Sequence, residues 1–253
     1  MDLNNEFTGA VAFVTGAGSG IGRETALLFA KRGAIVACVD LDADRCMDTV
    51  AAIREAGGEA AGIVADLSRP EDCERAVDDC LNQFGRIDHA FNNAGITGSH
   101  EEPFDLIRVE QTIAVDLLGV IYCMKHQVAV MEKQGGGTII NTASIAGLSG
   151  NVGALDYTAA KHGVVGLTGS AARKYGPSGI RINAVCPGII RTAMTRALDR
   201  DADELRAIFN RLSPITGKPG EPADIAEAVL FLSSSRAKFI HGVALPIDGG
   251  FTI

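Results

Sequence analysis

Short apolar segments alternate with longer segments of helical periodicity along most of the chain. The apolar segments are rich in Val, Ile and Ala and lie at 10–15, 34–40, 60–66, 87–93, 137–144, 180–186 and 243–248. The helix-like segments between them lie at 22–32, 43–56, 70–84, 116–133, 157–175 and 222–233. Strand–helix alternation is typical of βαβ units, whose parallel sheet is covered by helices on both faces. Because the crossovers are right-handed, the pattern predicts a doubly wound α/β fold.

The 253 residues contain no Pro/Ser-rich linker, low-complexity tract or repeat that would divide them. We therefore predict one domain, 1–253. Two helix starts are also indicated, one by Ser68 with Pro70 and Glu71, the other by Glu221 with Asp224.

Composition and charge exclude several classes of protein. Hydrophobic residues make up 47% and charged residues 21%, with a net charge of −8, which argues against nucleic acid as a partner. Residues 1–7 lack the basic start and apolar core of a secretory signal. The apolar stretch Ile113–Met131 is interrupted by Asp116, Lys125 and His126, so it is a poor membrane span. We expect a cytoplasmic protein with no membrane partner.

Cysteine and histidine show no ligand spacing. The six cysteines contain no C-x-x-C pair, and the five histidines are scattered. We predict no metal site.

A glycine-rich turn, 15–22, follows the first strand and opens the first helix with the spacing Gly-x-x-x-Gly-x-Gly. Glycine allows a tight turn and a close approach to a pyrophosphate, which the N-terminus of the helix attracts. Glycine runs alone are common in turns, but this position between strand and helix is typical of dinucleotide binding. We predict cofactor contacts from Gly16, Ser19, Gly20, Ile21 and Gly22.

The second strand ends at Asp40, followed by Leu41. A carboxylate there accepts hydrogen bonds from both adenosine ribose hydroxyls and repels a 2′-phosphate. No basic residue adjoins Asp40 in the sequence, so NAD is favoured over NADP. Alternatively, Asp40 caps the helix that begins near Ala43, although Asp42 is better placed for that role.

Tyr157 and Lys161 are four residues apart on a predicted helix and therefore share one face. A nearby ammonium lowers the pKa of a phenol from about 10, which makes Tyr157 a general acid/base. Ser144 ends the fifth predicted strand, where its hydroxyl can hold the substrate oxygen. A Tyr-x-x-x-Lys spacing alone could be an ordinary helix face. Together with Ser144 and the dinucleotide turn, it favours a catalytic role for the pair.

Together these motifs resemble the short-chain dehydrogenase/reductase family over nearly the whole chain. The matching segments are Thr15–Gly22, Asn92–Gly95, Ser144, Tyr157-x-x-x-Lys161, Pro187-Gly188 and Asp248–Gly250. The resemblance implies a seven-stranded parallel Rossmann sheet, a homotetramer, and proton exchange by Tyr157 while hydride passes between substrate and nicotinamide.

The resemblance also assigns cofactor contacts beyond the glycine turn. They are Asp66 and Leu67 at the adenine, Asn93, Ala94 and Gly95 in the cleft, Pro187 and Gly188, Ile190 and Thr192 at the carboxamide, and Tyr157 and Lys161. A substrate lid is expected at about 189–214.

Asp116 departs from the family pattern, in which an Asn usually helps to hold a water against the lysine. If the backbone carbonyl carries that role, Asp116 keeps it, and its charge raises the pKa of Lys161. Alternatively, the substitution is tolerated with a slower proton relay. We predict an active enzyme with a shifted pH–rate profile.

The segments expected around the nicotinamide are apolar, so we predict a neutral secondary alcohol or ketone, apolar or cyclic, as the substrate. They contribute Ile96, Ile145, Leu148, Val152, Leu155, Ile189, Met194 and Leu198. Two alternatives are a 3-oxoacyl-thioester reductase of the same fold, which would use NADPH and a basic docking surface, and a non-catalytic NAD-binding scaffold. The net negative charge disfavours the thioester reductase. The presence of Ser144, Tyr157 and Lys161 disfavours the non-catalytic scaffold.

Overall fold

The computed structural model describes residues 5–98, 102, 104–150, 153–195 and 215–253. Seven parallel strands form one sheet in the order β3-β2-β1-β4-β5-β6-β7. The strands are β1 (Val11–Thr15), β2 (Ile35–Asp40), β3 (Glu59–Val64), β4 (His89–Asn92), β5 (Gly137–Thr142), β6 (Ile180–Pro187) and β7 (Ala244–Ile247). The predicted doubly wound parallel sheet of seven strands is confirmed.

Helices connect the strands on both faces of the sheet. They are α1 (Gly20–Lys31), α2 (Ala43–Glu55), α3 (Pro70–Phe84), α4 (Leu106–Ile113), α5 (Gly119–Gln134), α6 (Leu155–Tyr175) and α7 (Pro222–Ser233). A π-helical turn, Ala114–Leu118, joins α4 to α5. The helix predicted from 116 therefore begins ten residues earlier, at Leu106. Its first turns escaped prediction because Leu106 and Ile107 are exposed, so its apolar residues do not mark a buried face.

Two apolar cores lie on opposite faces of the sheet, which explains why the strands read as continuous apolar runs. In β1, for example, Val11 and Phe13 belong to one core, whereas Ala12 and Val14 belong to the other. Such double burial fixes the strand register, because a slip by one residue would exchange the two faces.

The continuous helical run Leu106–Gln134 is long and apolar enough to qualify as a membrane span by length and composition alone. In this fold, however, α5 packs against the sheet. Its buried residues belong to the core that contains Val11 and Phe13; they include Val120, Met124, Val128 and Met131. The run is therefore explained as a core helix.

The helix starts follow local hydrogen-bond chemistry. Asp42 caps α2 by accepting from the Arg45 N–H at 3.1 Å, as expected. A capping box of Glu221 and Asp224 begins α7, also as expected. Helix α3 begins at Pro70, as the predicted segment 70–84 has it, although its N-cap is Arg69 and the Ser68 hydroxyl donates to Asp66.

Candidate active site

A cleft of about 1310 Å³ lies at the carboxyl ends of the strands. The strand order reverses between β1 and β4, and connections leave the sheet in opposite directions there, which opens a crevice. All the predicted catalytic and cofactor residues line this cleft except Gly22.

The glycine turn brings backbone to the cleft edge. Gly16 and Gly20 adopt positive φ angles of +65° and +52°, which side chains rarely tolerate. Gly22 lies behind the turn, where an added Cβ would stand 2.1 Å from the Gly16 carbonyl oxygen. The missing side chain lets α1 approach the turn, and the contact of Gly22 with a cofactor stays a prediction.

The N-terminus of α1 is free of side-chain capping. Ser19 occupies the N-cap position but makes no side-chain cap hydrogen bond, and the first turn carries no acid. The first N–H groups of a helix need acceptors, and its positive dipole end favours an anion. These residues therefore fit a pyrophosphate.

Asp40 ends β2 beside the glycine turn. One carboxylate oxygen accepts from the Gly18 N–H at 2.8 Å, and the other accepts from the Asp42 N–H at 3.0 Å. The side chain is thus held at the cleft, and the cap of α2 is a different residue. Arg45 also lines the cleft and pairs with Asp42 at 3.1 Å, although it is five positions past Asp40 in the sequence. The sequence around Asp40 therefore did not indicate that a cation lines this part of the cleft, whereas the position of Arg45 on α2 does.

The segment after β4 is tied to β1. The Thr15 hydroxyl accepts from the N–H groups of Asn93 and Ala94, at 2.8 and 3.0 Å. Asn93, Ala94 and Gly95 line the cleft, as do Asp66 and Leu67 after β3. Asn92 does not: its buried amide exchanges hydrogen bonds with Gln127 beneath the cleft.

The segment after β6 forms the opposite wall. Pro187, Gly188, Ile190 and Thr192 all line the cleft. A Cβ at Gly20 would lie 3.2 Å from the Thr192 Cγ2 atom, so the turns after β1 and β6 face each other. The expected lid is described only as far as Thr195, and 196–214 lie outside the described residues.

Tyr157 and Lys161 meet on α6 as the four-residue spacing predicts. The Lys161 Nζ atom lies 5.4 Å from the centroid of the Tyr157 ring and donates to the Thr142 carbonyl oxygen at 3.1 Å. Lys161 is buried, whereas Tyr157 is partly exposed to the cleft. The ammonium therefore lies behind the phenol, and the phenol faces the reaction space.

Asp116 lies in the π-helical turn and is fully buried. Its Oδ2 atom is 3.1 Å from Lys161 Nζ, so the two side chains form a buried ion pair. Its Oδ1 atom accepts from the Ile96 N–H at 2.8 Å. Burial alone would lower the pKa of Lys161, but the charges of Asp116 and Tyr157 outweigh it and raise that pKa. The direction is the one expected from the sequence.

Ser144 stands two residues past the end of β5, rather than at the end of the strand. Its backbone leaves the sheet to begin a 3₁₀ turn, and its hydroxyl oxygen accepts from the Ala146 N–H at 3.1 Å. The hydroxyl proton remains available to an acceptor in the cleft, because that bond uses only the oxygen.

The substrate half of the cleft is less apolar than the sequence suggested. Ile96, Ile145, Ile189 and Met194 line it, together with Thr97 and Gln111. Leu148 follows the 3₁₀ turn and Leu155 is the first residue of α6; neither lines the cleft, and they are 36% and 53% exposed. The other two expected residues, Val152 and Leu198, lie outside the described residues.

Within the described part of the chain, no cluster of His, Cys, Asp and Glu could hold a metal ion. The candidate reactive groups in the cleft are the hydroxyls of Ser144 and Tyr157, the ammonium of Lys161 and the carboxylate of Asp116.

Comparison with known proteins identifies this arrangement. A family model described as Enoyl-(Acyl carrier protein) reductase matches residues 16–252. The chain is 41% identical over 252 residues to a cyclohexanol dehydrogenase of an Acinetobacter species, covering 99% of this chain and 98% of the relative. The chain belongs to the short-chain dehydrogenase/reductase family.

Solved structures agree with this assignment. The crystal structure of levodione reductase matches with a TM-score of 0.90 and 37% identity, covering 96% of this chain and 98% of that one. A 7α-hydroxysteroid dehydrogenase complexed with NADH matches with a TM-score of 0.90 and 31% identity, covering 98% and 96%. The chain is an oxidoreductase that interconverts a secondary alcohol and a ketone.

Proposed function

We propose that this enzyme uses NAD(H) and acts on a neutral cyclic alcohol or its ketone. The observation that carries the proposal is the buried Lys161 ammonium behind the Tyr157 phenol, in the same cleft as the glycine turn. Asp40 supports NAD, because its carboxylate is held by two backbone N–H groups at the end of β2 and would repel a 2′-phosphate.

A bound nicotinamide would supply or accept the hydride. In the reducing direction, the Ser144 hydroxyl would donate to the substrate carbonyl oxygen, and Tyr157 would give that oxygen its proton. The Lys161 ammonium stabilises the resulting phenolate and is itself held by Asp116 and the Thr142 carbonyl oxygen. In the oxidising direction, Tyr157 would take the proton from the alcohol.

The substrate class is supported by the lining and by a relative. Ile96, Ile145, Ile189 and Met194 bring apolar surface to the cleft, and charged side chains there belong to the reactive set or to the Asp40 end. The relative from Acinetobacter is named for cyclohexanol, a neutral cyclic alcohol. We infer the same kind of substrate for this chain.

The test is a panel of alcohols and ketones with both cofactors. We expect NADH to form from NAD⁺ and cyclohexanol, with weaker activity on NADP⁺, and Tyr157→Phe to lose at least about 100-fold in kcat. If Tyr157→Phe reduces ketones as fast as the parent, the proposed mechanism is wrong. Turnover confined to charged sugars would refute the substrate class.

A thioester reductase is the second candidate, because the matching family model is described as an acyl-carrier-protein reductase. The net charge of −8 disfavours docking of an acidic carrier. The same panel should therefore contain acetoacetyl-CoA with NADPH. Preferential turnover of that pair would replace the proposal.

We also propose a cytoplasmic homotetramer, as family resemblance implies. Several apolar side chains are exposed on one chain, including Phe104, Leu106, Ile107 and Phe239. Contacts between copies would cover such residues. Light scattering should give the mass of four chains, and a monomeric mass would overturn this part of the proposal.

A further inference from the structure

Asp156 precedes Tyr157 in the first turn of α6, where an acid usually serves only the helix dipole. Here the carboxylate is 4% exposed. One oxygen accepts from the Tyr157 N–H at 2.9 Å, and the other accepts from the Thr112 hydroxyl at 2.8 Å. Thr112 is itself buried on α4, so Asp156 ties α4 to the residue that carries the phenol.

The same carboxylate lies against the cleft wall. Gly98 follows Ile96 and Thr97 along that wall. A Cβ added at Gly98 would stand 2.1 Å from the Asp156 Oδ1 atom and 2.8 Å from the Ala154 Cβ atom. Wall backbone and carboxylate are therefore in direct contact, and no side chain fits between them.

Segment 96–98 is consequently held between two buried carboxylates. At one end, Asp116 accepts from the Ile96 N–H and contacts Lys161. At the other end, Asp156 contacts Gly98 and accepts from the Tyr157 N–H. Each carboxylate thus links the wall to one member of the catalytic pair.

We propose that Asp156, with Thr112, is a positioning residue that sets the distance between wall segment 96–98 and the Tyr157 phenol, and so controls which ring substituents enter. This inference rests on the proposed function, because the wall is argued to face a cyclic substrate. A buried carboxylate suits the task because its two oxygens accept from separate elements in fixed directions.

The test compares Asp156→Asn and Thr112→Val with a matched control, Thr138→Val. Thr138 is also buried, and its hydroxyl is 2.7 Å from His89 Nδ1 at the opposite end of the sheet. All three proteins are measured for NADH affinity, melting temperature, and kcat and KM on cyclohexanone and a 4-substituted cyclohexanone. Hydrogen exchange of the peptide containing 96–98 is followed in parallel.

We expect Asp156→Asn to lose about 10- to 100-fold in kcat/KM, since small displacements of a positioning group have effects of this size. The preference between the two ketones should change, exchange at 96–98 should accelerate, and NADH affinity should stay within about twofold. Thr112→Val should show the same changes more weakly, and it keeps the inference testable if Asp156→Asn does not fold. Thr138→Val should show none of them.

A lower melting temperature with unchanged ketone preference and unchanged exchange at 96–98 would overturn the inference, because it would leave Asp156 a purely structural role. Failure of the proposed function has a different signature. In that case the parent enzyme turns over neither ketone, whereas the exchange measurement still reports whether Asp156 holds the wall.

Discussion

Replacing Asp116 by asparagine removes one charge from a buried ion pair and leaves the shape almost unchanged. Lys161 Nζ and Asp116 Oδ2 are 3.1 Å apart, and both side chains are nearly inaccessible to water. An asparagine has one acceptor oxygen, so it cannot both accept from the Ile96 N–H and face the ammonium. The variant should therefore lose the attraction that opposes desolvation of Lys161.

The size of the effect follows from that distance. At an effective dielectric constant of about 20, two unit charges so close attract by about 5 kcal/mol, and an opposite charge within reach commonly shifts a pKa by about 1–3 units. The pKa of Lys161 is raised in the parent, so its ammonium persists into alkaline solution. In Asp116→Asn burial dominates, and the pKa of Lys161 should fall.

The assay is kcat/KM for ketone reduction as a function of pH. The alkaline limb, which marks loss of the ammonium, should move to lower pH in Asp116→Asn. Unfolding should also become easier by about 3–5 kcal/mol, since a buried cation is left without its partner. Asp88→Asn is a suitable control because Asp88 pairs with Arg86 at 2.6 Å at the far end of the sheet. Superimposable pH profiles of parent and Asp116→Asn would refute the reasoning.

Three further predictions concern the cofactor site and the core. Asp40→Asn should weaken NAD⁺ binding by about 10- to 150-fold, which is the contribution of hydrogen bonds to a charged group. It should also improve the use of NADP⁺ relative to NAD⁺, because Arg45 stays nearby. Steady-state kinetics with both cofactors checks this, and an unchanged ratio of kcat/KM for the two cofactors would contradict it. Gly22→Ala should reduce NADH affinity at least about tenfold, because its Cβ would overlap the Gly16 carbonyl; Gly166→Ala, whose Cβ meets nothing within 4 Å, should bind NADH normally in the same titration. Burial lowers the pKa of His89 to about 4, against the opposing charge of Asp88. The full stability of the fold should therefore be present above pH about 6.5, and up to about 3 kcal/mol of it should be lost as the pH falls toward 4 and the imidazole takes up a proton. The free energy of unfolding, measured by urea titration at several pH values, should depend less on pH in His89→Leu than in the parent. An equal pH dependence in the two proteins would count against the prediction.

Much of the fold was predictable because its strands are buried on both faces. Doubly buried strands appear in a sequence as apolar runs. The observed ends of the strands differ from the predicted ones by no more than two residues. Helix α4 was missed for the opposite reason. Leu106 and Ile107 are apolar but exposed, and Thr112 is polar but buried, so periodicity could not reveal the helix.

The candidate site was predictable where function depends on a residue type at a fixed spacing. The four-residue spacing of Tyr157 and Lys161 and the glycine turn are of that kind. Arg45, Thr112 and Asp156 were not predictable, because their roles depend on which elements pack together. Gly22 illustrates the same limit within a motif: its type was recognised, but only the structure shows that an added Cβ would stand 2.1 Å from the Gly16 carbonyl oxygen.

Asp116 shows why a departure from a family pattern needs a structure before it can be interpreted. At an exposed position a carboxylate beside a lysine would stabilise the protein by less than about 1 kcal/mol, and its replacement would have little effect. Here both charges are removed from water, so each is tolerated only because the other is present. The cation that the proposed mechanism places behind the phenol therefore depends on the anion in the π-helical turn. That turn also anchors the wall at Ile96, so substrate position and the ionisation of Lys161 depend on the same carboxylate.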